Sequence, residues 1–434
     1  MSVPKEGNGS PPGSRFLRGA PPPRIVEGQI DPRYEVTREL LKTPVTPVLF
    51  RGFRNPSLIG NLWSTRESVA AGYGTNARGL TELLLSAIEH PIAPVVVREK
   101  APWQEQEGAP RLRSWPVPHY YPEDAGPYFT AAIYSSLWKG KRNLSYHRLW
   151  VREDSGGPVR LVPRHLDQMV QASRKEGIEL PVTIFVGAPI DVLLAAACSV
   201  DYAQDEMEIA SALHQKRTGE PLPVVELDDG TRVPRDAEIV LRAHITSRDE
   251  EEGPFLDILG TYDARRRQPV VRVDRVYTVR DPVLHAILPG SDEHFLLMGL
   301  PREPMILRAV RSVVPGVQDV RLTEGGCGWL NGVVSLRKRR EGDGKNALLA
   351  AFSGHPSMKH VTVVDEDIDI FNDREVEWAI ATRLQADRGL VIVPGATGSS
   401  LDPSATPDGI TTKWGIDATL PVGAPRAPFT KGHL

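Results

Sequence analysis

The feature that most constrains this chain is a long region, from about Thr130 to Leu300, in which strand patterns follow one another with only short helical patterns between them. The clearest of these patterns are LSYHRLWVRE, PVTIFVG, AEIVLRAHIT and PVVRVDRVYTV. Several long strands at this spacing predict a barrel-like or sandwich sheet. Because 434 residues exceed one ordinary core, we expect this sheet to be one of two or three domains.

The regions on either side of the strands carry different patterns. Helix patterns at Tyr34–Leu41 and Gly79–His90 and a strand pattern at Ala93–Glu99 precede them, and the Pro/Tyr-rich Ser114–Thr130 reads as a linker. Strand, helix and strand patterns follow at Lys359–Ile370, Asn372–Arg383 and Leu390–Pro394, and predict a small α/β domain. Residues 1–25, rich in Gly, Pro and Ser, are predicted to be a disordered tail.

Composition excludes several classes of protein. The formal net charge is −3, so no overall basicity points to nucleic acid, and the short basic run Arg337–Arg340 is expected to be solvated. Two cysteines, Cys198 and Cys327, are too few for a disulfide framework or a four-thiolate metal site, which fits a reducing, cytoplasmic setting. The longest apolar run, Val192–Val200, is too short to span a bilayer, and we expect no membrane association.

Motifs for nucleotide binding and hydrolysis are weak or missing. The glycine-rich Gly325–Gly332 leads into a strand pattern, so it is more consistent with a tight turn than with a phosphate loop. More informative are polar residues set among apolar ones, namely Asn143, Arg148, His165 and Glu206. Each alone is better explained by an exposed, turn or helix N-terminal position than by a functional role, because most polar side chains are exposed.

One acid run is harder to explain as solvated surface. Asp249–Glu252 is followed by Gly-Pro-Phe and then by Asp257, which stands between apolar residues. Read alone, this is a surface run followed by a chance inward aspartate. Asp249–Glu251 are expected to be solvated in either interpretation.

Five motifs in order resemble those of the UbiD family of prenylated-flavin-dependent decarboxylases: NLSYHR, PRHL, DEMEIASAL, EGPFLD and TTKWGIDATLP. The resemblance extends from about Gly28 to Pro421. It implies a mixed α/β (α+β) chain with an N-terminal α/β domain at 26–125, a central split β-barrel that holds prenylated FMN at 126–315, and a C-terminal α/β domain at 316–434.

The resemblance also implies a set of cofactor and metal ligands. Asn143, His165 and Glu206 match the metal ligands, and this mostly hard-oxygen set suits Mn²⁺ or Mg²⁺ bound to the flavin phosphate. A K⁺ ion is expected near backbone carbonyls around Ala196–Cys198. The other positions that match cofactor-binding residues are Ser145, Tyr146, Arg164, Ala197, Cys198 and Lys413, and His165 and Glu206 count among them as well. The sequence AAACSV departs from the Ser-rich or Pro-containing sequence that the family often has there.

The acid run gains a role from the same resemblance. Arg148, Glu252 and Asp257 match the catalytic residues, with Arg148 and Glu252 placing the substrate carboxylate and Asp257 donating a proton. A Gly-Pro bend allows both acids to face one pocket, and apolar neighbours are expected to desolvate Asp257 so that it can serve as an acid. Arginine offers a planar fork for a carboxylate.

The function that follows is non-oxidative, reversible decarboxylation of an α,β-unsaturated or (hetero)aromatic acid. Ile287 and Leu288 are expected to line an apolar pocket. The alternatives are a flavin-binding or assembly protein without turnover, a metal-dependent hydrolase, and the same enzyme working as a carboxylase. The expected partners are the acid substrate, a flavin prenyltransferase that supplies the cofactor, and at least one further copy of the chain in a homodimer.

Overall fold

The computed structural model describes residues 14–53 and 55–431, which separate into two units. The first contains the described residues through Ala77 together with Ser86–Leu297, and the second contains Arg78–Leu85 and Met298–Leu434. The residues predicted as an N-terminal and a central domain therefore lie largely in one unit, and the second unit begins before residue 316. Mixed α/β architecture, the predicted fold class, is confirmed.

The strands of the first unit are β1 Arg24–Val26, β2 Val48–Phe50, β3 Ser57–Gly60, β4 Val95–Val96, β5 Gln106–Gly108, β6 Tyr128–Phe129, β7 Ile133–Trp138, β8 Lys141–Tyr146, β9 Leu149–Trp150, β10 Gly156–Pro158, β11 Leu180–Val186, β12 Pro223–Glu226, β13 Arg232–Pro234, β14 Ile239–Glu252, β15 Phe255–Leu256, β16 Tyr262–Asp263, β17 Arg266–Thr278 and β18 Val283–His285. Its helices are α1 Glu35–Lys42, α2 Arg66–Gly72, α4 His165–Lys175, α5 Ile190–Ala195 and α6 Glu206–Thr218. Two further helices, α3 Leu80–Glu89 and α7 Asp292–Gly299, have residues in both units.

A seven-stranded antiparallel sheet forms the centre of the first unit. Its order is β10-β17-β14-β11-β7-β8, with β5 also paired to β17. The two long strands β14 and β17 form a hairpin in which Glu252 lies opposite Arg266. Two irregularities in this pairing shift its register and bend the hairpin. The tip of the hairpin, residues 253–265, includes the short pair β15 and β16.

The chain N-terminal to β1 is better ordered than predicted. Residues 1–13 of the predicted tail lie outside the described residues, but Arg15–Leu17 forms a 3₁₀ turn whose Phe16 and Leu17 are buried. Arg24–Val26 is a strand paired with β2. The prediction of disorder is therefore wrong for residues 14–25, because two apolar side chains in a Gly/Pro-rich stretch are enough to anchor it.

The predicted linker Ser114–Thr130 is also wrong as a linker. Tyr120 and Tyr128 are among the largest fully buried side chains, and Asp124 is buried with them. Pro and Tyr residues here pack into the first unit, so the segment belongs to the body of that unit.

The second unit is a five-stranded sheet of order β19-β20-β21-β23-β22 with helices against it. The strands are β19 Val317–Leu322, β20 Asn331–Leu336, β21 His360–Asp365, β22 Leu390–Thr397 and β23 Ile410–Ala418, and the helices are α8 Glu303–Val313, α9 Asp343–Gly354, α10 Asp373–Arg383 and α11 Ala386–Gly389. One core cluster joins α8 and α9 to the sheet, and a second joins α10 to it. This matches the strand–helix–strand pattern of the sequence. Asn372 caps α10 by accepting the Arg374 N–H.

A search of the described residues for a membrane-spanning helix finds none with the necessary length and apolar character.

Candidate active site

Arg148, Glu252 and Asp257 meet in the first unit. Glu252 is the last residue of β14, and Asp257 follows β15 just beyond the Gly253–Pro254 bend. Arg148, between β8 and β9, binds Glu252 through both carboxylate oxygens, with Nε–Oε1 and Nη2–Oε2 distances of 2.8 and 2.9 Å. Its Nη1 lies 2.5 Å from Asp257 Oδ2. The structure thus brings the three predicted residues together.

Glu252 and Asp257 differ in how deeply their side chains are buried. The Glu252 side chain is 0% exposed, whereas that of Asp257 is 19% exposed. Phe255, Leu256 and Ile258 are buried as expected, but the Asp257 oxygens face Arg148 and the Ile258 N–H rather than an apolar wall. The expectation of an apolar ring is therefore wrong for the carboxylate itself, because the turn directs it at the guanidinium.

A third carboxylate, Asp263 of β16, also binds Arg148. Asp263 Oδ2 accepts from Arg148 Nη2 and from Arg160 Nε, both at 3.0 Å, and its Oδ1 is paired with Arg266. Burial opposes ionisation of Asp263, yet Arg148, Arg160 and Arg266 outweigh it and lower the pKa of this carboxyl. Burial likewise disfavours charged Arg148, but Glu252, Asp257 and Asp263 raise its pKa overall.

The sequence analysis missed Asp263, Arg160 and Arg266. A signal existed: the basic run Arg265–Arg267 follows the acid run at hairpin distance, and Glu251 and Glu252 lie opposite Arg267 and Arg266 in the ladder. Of Asp249–Glu251, expected to be solvated, Glu251 is exposed, whereas Asp249 and Glu250 are half-buried and form ion pairs. Asp249 pairs with Arg174 at 2.7 Å, and Glu250 pairs with Arg152 at 3.0 Å and Arg248 at 3.2 Å.

Asn143, His165 and Glu206 come together from β8 and from the first residues of α4 and α6. Glu206 Oε2 accepts the N–H of Leu144, the neighbour of Asn143, at 2.9 Å, and His165 Nδ1 lies 3.8 Å from Glu206 Oε1. Asp205 caps α6 by accepting the Met207 N–H at 2.9 Å, so the first turn holds Glu206 in place.

A chain of hydrogen bonds decides which atom of the Asn143 amide is left free. The Arg160 carbonyl can only accept, so His147 Nδ1, 3.1 Å away, donates to it. Burial lowers the pKa of His147 to about 4, so at neutral pH the ring is uncharged and Nε2 accepts from Ser145 Oγ at 2.9 Å. Ser145 Oγ then accepts from Asn143 Nδ2 at 2.8 Å. The Asn143 oxygen is the atom left for a metal ion.

The same chain connects the two residue groups. Arg160 fixes His147 through its carbonyl and Asp263 through its Nε, and Asp263 in turn binds Arg148. The metal-ligand candidates and the acid–arginine cluster therefore belong to one site in the first unit.

The residues present fit a divalent cation. Glu206 is buried, and burial raises the pKa of its carboxyl above the usual value, with His165 and the Leu144 N–H partly opposing this. Among the residues that the structure describes, no lysine or arginine forms an ion pair with it. A buried carboxylate without such a partner is costly, and a cation would compensate it. Amide oxygen, imidazole and carboxylate suit Mn²⁺ or Mg²⁺.

Other observations fit a large bound cofactor. The Tyr146 hydroxyl is buried without a hydrogen-bond partner in the described part of the chain, and burial raises the pKa of this phenol well above its usual value. Arg164 Nη1 is 3.1 Å from Ser199 Oγ and forms no ion pair within the described ranges, which leaves its charge available for a phosphate.

The remaining predicted positions are placed as follows. Ala197 and Cys198 are buried just after α5, with Cys198 Sγ 3.6 Å from the Leu194 carbonyl oxygen. Ile287 and Leu288 are buried after β18. Lys413 lies on β23 in the second unit, where its Nζ donates to the carbonyls of Pro356 and Met358, the latter at 2.9 Å. Burial lowers the pKa of this amine.

Comparisons with known proteins identify relatives of this chain. Two family profiles match: the 3-octaprenyl-4-hydroxybenzoate carboxy-lyase Rift-related domain (UbiD) over residues 95–292, and the C-terminal domain of the same carboxy-lyase (UbiD_C) over residues 295–418. The anhydromevalonate phosphate decarboxylase of Methanothermobacter thermautotrophicus is 41% identical over 405 residues, 92% of this chain and 94% of that protein. The gallate decarboxylase of Lactiplantibacillus plantarum is 28% identical over 411 residues, 86% and 82% of the two chains.

A solved structure supports the same relationship. The UbiD-class enzyme HmfF from Pelotomaculum thermopropionicum, in complex with FMN, matches with a TM-score of 0.89 and 37% identity. The match covers 95% of this chain and 94% of that one.

Proposed function

The chain belongs to the UbiD family and is a carboxy-lyase, and from that premise we propose that it decarboxylates an α,β-unsaturated acid at the site around Arg148 with the help of prenylated FMN. The observation that carries the proposal is the three-way contact of Arg148 with Glu252, Asp257 and Asp263. A flavin-binding protein without turnover, or a hydrolase, does not require an arginine that binds three carboxylates.

Arg148 offers one side to substrate. Its Nε and Nη2 are bound to Glu252 and Asp263, whereas its Nη1 contacts only Asp257 among the contacts described. When Asp257 takes up a proton, its attraction to Nη1 weakens and Nη1 becomes available to a substrate carboxylate. Arg148, held by Glu252, then orients that carboxylate.

Asp257 is the proton donor because it is the partly exposed acid. The substrate anion loses CO₂, the carbon that carried the carboxylate gains the proton of Asp257, and Asp257 takes another proton from solvent. One proton is therefore consumed per CO₂ released. Glu252, fully buried and bound bidentately, is in no position to exchange protons with water and acts as the anchor.

Cofactor and ion binding complete the proposal. Prenylated FMN supplies the electron sink that no protein side chain offers to an sp² carbanion. Asn143, His165 and Glu206 would hold Mn²⁺ or Mg²⁺ at the cofactor phosphate. Ser145, Tyr146, Arg164, Ala197, Cys198 and Lys413 are proposed to contact the cofactor, with K⁺ near Ala196–Cys198. A flavin prenyltransferase would supply the cofactor, and the enzyme is proposed to be a homodimer that also catalyses carboxylation.

For the substrate we propose a phosphorylated, branched α,β-unsaturated acid of the anhydromevalonate phosphate type. Support comes from relatives of that name that are 40–41% identical over more than nine-tenths of this chain in four organisms. Gallate, a hydroxyaromatic acid, is the substrate in the name of a less similar relative. CO₂ release from a panel of phosphorylated, polyene, furan and hydroxybenzoic acids tests this choice.

Asp257→Asn tests the acid role. Asparagine keeps the shape but has no acidic proton, so kcat should fall at least about a hundredfold. The flavin absorption spectrum should remain that of the wild type, because no cofactor ligand is changed. Glu251→Gln is the matched control, since it removes an exposed carboxylate near the end of β14. An Asp257→Asn enzyme with kcat within about twofold of the wild type would contradict the assignment.

A further inference from the structure

Asp263 holds an unusual number of arginines for one carboxylate. Arg148 Nη2 and Arg160 Nε lie 3.0 Å from its Oδ2, and Arg266 is bound to its Oδ1. Only 2% of the side chain is exposed. A carboxylate buried to this extent destabilises the fold unless its charge is compensated. Here three guanidinium groups compensate the charge.

The position of Asp263 in the hairpin explains why it reaches Arg148. Asp263 lies opposite Phe255 in the β15–β16 pair. Phe255 stands two residues before Asp257, and the central carbon of the Arg148 guanidinium lies 4.6 Å from the centroid of its ring. Glu252 accepts from Nε and Nη2 of the guanidinium, and Asp263 also accepts from Nη2. Two carboxylates from different strands set the plane so that Nη1 faces Asp257.

Charge balance gives Asp263 a second effect. The cluster contains three arginines, Arg148, Arg160 and Arg266, and three carboxylates, Glu252, Asp257 and Asp263. When Asp257 is protonated, the cluster carries one net positive charge, which matches a substrate carboxylate. His294 also faces Asp257, and burial lowers the pKa of its ring, so it adds little charge at neutral pH.

We propose that Asp263 is a positioning residue that orients Arg148 and, by its negative charge, offsets part of the positive potential that the arginines create at Asp257. This rests on the proposed role of Asp257 as the acid. Without the charge of Asp263, the positive potential around Asp257 rises and favours its carboxylate form. The link through Arg160 to the metal-ligand candidates uses the Arg160 main-chain carbonyl, which a change at Asp263 does not remove.

The test compares holoenzymes of Asp263→Asn, Asp263→Glu and the control Asp274→Asn, an exposed acid on β17 paired with His244 and Arg272. For Asp263→Asn, kcat should fall about ten- to hundredfold. The pH above which activity is lost should move down by about one unit. Metal and flavin content should stay at the wild-type level, which separates positioning from misfolding.

Asp263→Glu keeps the charge but displaces it, so its kcat should fall while the pH midpoint stays within about 0.3 unit of the wild type. This variant also carries the test if Asp263→Asn does not fold. Wild-type kcat and pH profile in a loaded Asp263→Asn enzyme, or an equal pH shift in Asp263→Glu, would overturn the inference. Asp257→Asn is measured alongside to distinguish the two possible failures. Full turnover of Asp257→Asn would contradict the proposed acid role. An inactive Asp257→Asn together with wild-type behaviour of Asp263→Asn would contradict only the positioning role of Asp263.

Discussion

At the scale of single residues, the choice of arginine at position 148 decides what the site can do. A planar guanidinium can bind Glu252 with two parallel bonds and still present separate nitrogens to Asp257 and Asp263. A lysine ammonium is a single point charge without this fork, so it could not bind all three acids in this arrangement. The geometry of the cluster is therefore specific to arginine.

Glu206 is the residue on which metal and flavin binding should depend most. Replacing it by alanine removes the one carboxylate of the candidate metal set, so metal affinity should fall at least about tenfold and flavin should be lost on desalting. Metal analysis and the absorption spectrum of the purified protein measure both. Glu208→Ala, one residue after Met207 in the same helical turn, is the control and should retain both. A Glu206→Ala protein that purifies with full metal and flavin would count against the site.

At the scale of elements, the segment Tyr121–Ala125 holds the turn that carries Asp257. Asp124 Oδ1 accepts the Leu256 N–H at 2.9 Å, and its Oδ2 accepts the Tyr121 N–H at 3.0 Å. Ala125 N–H donates to the Pro254 carbonyl at 2.8 Å. Burial raises the pKa of Asp124 to about 6, with the two N–H groups and Arg148 opposing this, so the carboxylate is mostly charged at neutral pH and accepts both bonds.

Asp124→Asn should weaken this connection. An asparagine has one acceptor oxygen, so one of the two buried N–H groups would face an NH₂ group and lose its partner. The free energy of unfolding should drop by about 2 kcal/mol, and kcat should fall with it because the Asp257 turn loosens. Urea titration and steady-state kinetics measure the two effects. Glu123→Gln, a change at an exposed neighbour, should alter neither stability nor kcat. Equal behaviour of the two variants would show that the hydrogen bonds of Asp124 are unimportant.

At the scale of the whole molecule, one buried acid should make a large contribution to how stability depends on pH. Glu238, 1% exposed, accepts the Val283 N–H at 3.1 Å, and burial raises its pKa from 4.5 to about 8. Since the folded pKa is raised, the stabilisation is complete below pH 4.5 and is lost as the pH rises through 8. By pH 8 the free energy of unfolding should have fallen by about 4 kcal/mol from its value at low pH because of this group.

Glu238→Gln removes this titration and keeps an acceptor for Val283. The variant should therefore be more stable than the wild type at pH 8 and closer to it at pH 5. Urea midpoints at the two pH values, with exposed Glu251→Gln as control, check the expectation. A wild-type midpoint that does not fall between pH 5 and 8 would show that Glu238 ionises without cost.

Features that depend on local pattern could be predicted from the amino-acid sequence. Alternating strands predicted the central sheet, the Asn372 cap and helical period predicted α10, and the ordered motifs identified the family together with Arg148, Glu252 and Asp257. These predictions succeeded because periodicity, capping and motif spacing act over a few residues, and a family's motifs record which side chains meet. The roles of the site residues stay predictions until the variants above are measured.

The residues that join the site from outside the motifs could be identified only in the folded chain. Asp263 lies 115 residues from Arg148, and their contact depends on the register of the β14–β17 hairpin, which local sequence does not specify. The burial of Phe16, Leu17 and Asp124 was likewise not predictable from local sequence, because they stand in stretches whose composition is typical of tails and linkers. Long-range register and burial are set by how the whole unit closes, so they become visible only once the chain is folded.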